Sequence, residues 1–72
     1  MPKLPPMTVR EVETILGRAG FVFVRQTDHR IWRHPDGRAV SVPAHRGDLR
    51  PGTLRNIVEQ AGMTVDEVLG FR

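Results

Sequence analysis

The period of the hydrophobic pattern changes abruptly at Gly20, and that change limits what the chain can fold into. Before it, Val9, Val12, Ile15, Leu16 and Ala19 recur at helical spacing. After it, "FVFVRQ" is a β-branched and aromatic run too short for a helix and suited to a strand, Phe21 to Gln26. An all-helical or all-β arrangement satisfies only one of these patterns. "TVRE" at Thr8 to Glu11 is a capping box, in which the Thr8 hydroxyl accepts from the Glu11 N–H and the Glu11 carboxylate reaches back. Gly20 supplies the left-handed stop, so a helix is expected from Thr8 to Ala19.

Two further runs, "HRIWRH" and "RAVSVP", flank "PDG". Pro35 presets its dihedral, Asp36 can bond its own backbone and Gly37 accepts a positive φ, which predicts a hairpin over His29 to Pro43. Pro43 cannot donate to a ladder, so the third strand ends there or lies on an edge. Leu54, Ile57, Val58 and Ala61 mark a second amphipathic helix, with Pro51 in its first turn and Gly62 at its end. A second capping box, "TVDE" at Thr64 to Glu67, starts a short helix through Leu69. The expected fold is α+β: a three-stranded antiparallel sheet, two helices on one face, and a short C-terminal helix. On the second strand, Trp32 is the better core anchor, which turns His29, Ile31 and Arg33 to the open face; Ile31 in the core instead would reverse every assignment.

Seventy-two residues suit a single domain, with the proline-rich "MPKLPP" and Met7 expected to fray and 8–63 forming the body. Absence of cysteine removes disulfides and thiolate metal sites. No apolar run reaches membrane-spanning length, and "MPKLPPMT" lacks a signal-peptide core, so a cytoplasmic protein without membrane association is expected. Charge is uneven. Arg25 to Arg55 holds seven arginines against three aspartates, while the remainder carries four cations against five carboxylates. All three histidines, His29, His34 and His45, fall in that basic middle. Arginine forks onto phosphate, so a polyanion is the expected partner, with nucleic acid first among them.

A helix ending in Gly20, a histidine opening the second strand, "HPDGR" at the hairpin and "VPAHRGDLRPGTLRNIVEQAGM" at Val42 to Met63 together resemble the HicA-type (YcfA-like) mRNA interferase toxins. The similarity spans about Thr8 to Met63. It implies a double-stranded-RNA-binding-domain-like α-β-β-β-α fold, a toxin that cleaves mRNA without metal or other cofactor, and a cognate HicB-type antitoxin that silences it. In that family the catalytic histidine follows glycine and a small residue, just before the aromatic of the second strand. His29 matches the histidine and Trp32 the aromatic, whereas Thr27 and Asp28 depart from the pattern. Glycine would permit close approach to a phosphate; Asp28 adds a negative charge, or else holds His29 in one tautomer.

The residues themselves support a restricted chemistry. An imidazole with a pKa of about 6.5 exchanges protons at neutral pH, and RNA brings its own 2′-hydroxyl nucleophile. His29 is the candidate catalyst. Arg30, Arg33, Arg38 and Arg46 are candidate phosphate binders, Arg46 in a glycine-containing loop, and His45 is a candidate for phosphate contact or helix entry. His34, in "RHPDG", reads as a turn residue. The histidines lack zinc-signature spacing, Ser41 has no nucleophile motif, and no glycine-rich phosphate loop or useful carboxylate pair occurs. Two other readings fit the same residues: an RNA-binding module with a degenerate site, and one half of a protein complex.

Overall fold

The computed structural model describes residues 3–72. Its elements run α1 (Val9–Arg18), β1 (Val22–Gln26), β2 (His29–Arg33), β3 (Ala39–Pro43), α2 (Pro51–Gln60) and α3 (Val65–Gly70). The three strands pair antiparallel in the order β1-β2-β3. This is the expected α+β, double-stranded-RNA-binding-domain-like arrangement, with α1 and α2 packed on the sheet. Among the described residues, no helix is long and apolar enough to cross a membrane.

Local chemistry sets the helix ends. Thr8 is extended, its hydroxyl accepts from the Glu11 N–H at 3.1 Å, and the Glu11 carboxylate accepts from the Thr8 N–H. Thr64 and Glu67 repeat the device at α3. At Gly20 the backbone turns with φ +99°, and a Cβ there would sit 3.0 Å from His34 Nε2, so both conformation and space call for glycine. Val12, Ile15 and Leu16 of α1 and Leu54, Ile57 and Val58 of α2 close over Val40 and Val42 of β3, which are 1% and 0% exposed. Burying each of those valines stabilises the fold by about 1.5–3 kcal/mol.

Pairing fixes the two faces of the sheet. Directly paired residues share a face. Arg30 lies opposite Val42 and Trp32 opposite Val40, so Arg30 and Trp32 point toward the helices. His29, Ile31 and Arg33, opposite Pro43, Ser41 and Ala39, form the open face. In β1 the register slips between Phe23 and Arg25, a bulge at Val24 that no feature of "FVFVRQ" predicts. Phe23 therefore sits beside Trp32 on the helix side, whereas Arg25 joins Ile31 on the open side.

The start of the chain corrects one expectation. Residues 1 and 2 lie outside the described part, but Met7, assigned to a frayed lead-in, is fully buried. Its carbonyl accepts from the Leu49 N–H at 2.9 Å, Thr8 bridges Asp48, and the Val9 N–H donates to the Gly47 carbonyl at 3.1 Å. An apolar side chain and two backbone hydrogen bonds hold this segment against the loop that precedes α2, which local proline content could not reveal.

Candidate functional site

Antiparallel register brings the start of β2 beside the end of β3, so His29 stands at one end of the sheet opposite Pro43. A tight turn delivers it there: the Thr27 N–H donates to the His29 carbonyl at 3.0 Å. Its imidazole is exposed on the open face. Among the described residues, Asp28 makes no hydrogen bond to it, so the tautomer-holding role considered for Asp28 has no contact behind it.

Beyond Pro43 the chain forms a short loop fixed at both ends. Pro43 is held by β2, and Gly47 to Leu49 are held by Met7 to Val9. Gly47 turns with φ +95°, a region costly for residues with a Cβ. His45 and Arg46 form the apex. The His45 Nδ1–H donates to the Arg46 carbonyl at 3.0 Å, since a carbonyl can only accept, and among the described residues Nε2 is the ring nitrogen left without a partner. An open groove separates this loop from α1, lined by Arg10, Glu13, Gln26, Arg30, His45 and Arg46.

Within the groove Arg30 is tied down. Its Nε donates to Glu13 Oε2 at 2.6 Å, its Nη1 donates to Gln26 Oε1 at 2.9 Å, and its guanidinium lies 4.3 Å from the Phe23 ring centroid. The Trp32 indole N–H donates to the same Glu13 Oε2 at 2.7 Å. Glu13 thus joins α1 to β2 through one carboxylate oxygen. Arg10 and Arg46 are exposed and have no side-chain partner among the described residues.

The remaining candidates sit at the opposite, hairpin end. Arg38 Nε donates to Asp36 Oδ2 at 2.8 Å, and its Nη1 donates to the Ala61 carbonyl at the end of α2. Its guanidinium also lies 5.1 Å from the Phe21 centroid. Those bonds hold the Asp36 carboxyl below its usual range, the Arg38 side chain first and the Arg38 backbone N–H next, with Arg38 and His34 charge adding and slight burial opposing. His34 packs edge-on against Phe21 and accepts from the Asp36 N–H, closing the turn as a turn residue would. Arg33 is exposed on the open face next to this end. Among the described residues, no three His, Asp or Glu side chains converge as metal ligands.

Residues 9–63 match the family model described as "HicA toxin of bacterial toxin-antitoxin". The chain belongs to the HicA toxin family. No curated protein matches it. For this HicA-family chain, sequence reasoning passed over Arg10, Glu13 and Arg25. Arg10 and Glu13 were counted only as charges of the flanking remainder, and their place in the groove follows from docking α1 across β2. Arg25 faces the open side only because the bulge at Val24 turns it there.

Proposed function

We propose that this HicA-family toxin is a metal-independent endoribonuclease acting on mRNA in the cytoplasm, with His29 as its proton-transfer residue. The observation that carries this reading is an exposed His29, in the family's histidine position, at the end of the sheet bordered by the anchored basic loop. His29 removes the proton of a ribose 2′-hydroxyl, and the oxygen attacks the adjacent phosphorus. Arg46 and Arg10 neutralise the phosphate, and Arg33 and Arg25 guide the strand across the open face. Arg30 and Arg38, which the sequence also nominated for phosphate, contribute through the contacts that set β2 and the hairpin.

The family's place in toxin-antitoxin pairs supports a HicB-type antitoxin as the partner, and the open face bearing His29 is the surface it would cover, meeting the arginines with carboxylates. The test is chemical. Deoxyribose at the cleaved position abolishes cutting, EDTA has no effect, and the products carry a 2′,3′-cyclic phosphate and a free 5′-hydroxyl. Cleavage that persists on the deoxy substrate, or that stops with EDTA, overturns the mechanism; binding without any cleavage selects the RNA-binding module.

A further inference from the structure

We infer that His45 is a second catalytic residue, the general acid that protonates the 5′-oxygen leaving group while His29 acts as base. The inference rests on the ribonuclease reading above and extends it. Transfer of a phosphoryl group through an in-line arrangement puts the attacking and leaving oxygens on opposite sides of phosphorus, so one imidazole cannot easily serve both. This chain holds two histidines at the same end of the sheet and on opposite sides of it. His29 is on the open face opposite Pro43, and His45, two residues beyond Pro43, lines the groove on the α1 side. Paired Cα atoms lie within about 5.5 Å, and two further residues add at most about 7 Å, so both rings can flank a single phosphodiester.

Orientation separates His45 from other candidates. Its Nδ1–H is committed to the Arg46 carbonyl, so Nε2 is the atom presented to a ligand, as in catalytic imidazoles steered by a backbone carbonyl. The loop that carries it is fixed at Pro43 and at Gly47 to Leu49. His34 cannot take the role, because it stands five residues on, just past the end of β2 and about 17 Å away, packed on Phe21. Glu13 is occupied by Arg30 and Trp32. The charged groups lining the groove with His45 are Arg10 and Glu13 from α1, Arg30 from β2 and Arg46 from the loop itself.

The step balances. Neutral His29 takes the 2′-hydroxyl proton as the O2′–P bond forms and the P–O5′ bond breaks, and His45, entering as imidazolium with its Nδ1–H on the Arg46 carbonyl, gives its Nε2 proton to O5′. His29 leaves as imidazolium and His45 as neutral imidazole, and exchange with water restores both.

A leaving group that needs no proton distinguishes the roles. The cut made by wild-type protein in a synthetic single-stranded RNA containing every dinucleotide step is mapped, and that bond is resynthesised with a bridging 5′-sulfur. On the oxygen substrate His45→Ala lowers kcat by about 10²–10⁴-fold with RNA affinity and thermal stability retained. On the sulfur substrate His45→Ala approaches wild type, while His29→Ala stays slow on both. His45→Ala equally slow on both substrates, or as fast as wild type on the oxygen substrate, overturns the acid role and leaves the His29 mechanism standing. If His29→Ala cuts normally, or wild type never cuts, the ribonuclease reading fails and takes this one with it.

Discussion

Each end of the sheet carries histidine and arginine, and the two ends treat them differently. At the hairpin end His34, Asp36 and Arg38 bond to one another, His34 and Arg38 pack on Phe21, and Arg38 reaches the Ala61 carbonyl at the cap of α2. At the other end His29, His45, Arg46 and Arg10 are exposed, and among the described residues the only side-chain bond made by any of them, from His45 to the Arg46 carbonyl, orients a ring and leaves Nε2 without a partner. Residue type does not separate a strut from a site; partnership does. A guanidinium already bonded to a carboxylate and a carbonyl must give up those bonds to meet a phosphate, whereas an unpartnered one exchanges only water.

The largest expected contrast lies between two histidines of one strand neighbourhood. His29→Ala should lower kcat by about 10²–10⁴-fold with RNA affinity nearly unchanged. His34→Ala should leave kcat near wild type and instead cost about 0.5–1.5 kcal/mol of stability, from the lost edge-on contact with Phe21. Steady-state kinetics beside thermal melts of both variants check this. Comparable rate losses would break the division between the ends.

How much of this was legible in the sequence depended on range. Both capping boxes, the α1 and α2 stripes and the Pro35–Gly37 turn are local, and all appear as read. Alternation divided β2 into two faces without saying which is inward, and the size of Trp32 favoured the face that the pairing with Val40 bears out. The assignment of arginines did not follow, because their partners are remote: Glu13 lies 17 positions from Arg30, and Ala61 lies 23 from Arg38. Met7 was hidden for the same reason, since its tie to Leu49 exists only once the loop folds back. The bulge at Val24 has no glycine or proline to announce it. His29 was legible because a motif marks it, and its neighbours at the site were not, because the tertiary fold assembles them.

A second contrast uses arginines. Arg46→Gln and Arg10→Gln should each lower the slope of log affinity for single-stranded RNA against log salt by about 0.7, with stability unchanged. Arg38→Gln should leave that slope alone and lose about 1–2 kcal/mol, since a charge-assisted bond at the end of α2 disappears from a half-exposed position. In a domain of this size that lowers Tm by roughly 4–8 °C per kcal/mol. Salt-titrated binding and melting curves read the two effects separately. A salt slope that falls with Arg38→Gln would move the phosphate contacts toward the hairpin end.

The smallest expected effect tests whether the hairpin cluster is electrostatic at all. Asp36 is held below its ordinary value of 3.8, chiefly by the Arg38 side chain. A carboxyl depressed in the folded protein adds stability that is fully present above its unfolded pKa and is lost as pH falls through the folded one. Asp36→Asn keeps the shape and removes the charge, so it should be slightly less stable than wild type at neutral pH. The two curves should converge once the solution is acidic enough to protonate Asp36 in the folded chain, because the wild-type carboxyl is then neutral as well. Denaturant titrations from neutral pH down to well below 3.8 measure the gap. The absence of any gap across that range would mean that Asp36 acts through its Arg38 backbone bond, which asparagine can also accept, and that the hairpin end is held by packing on Phe21 more than by charge.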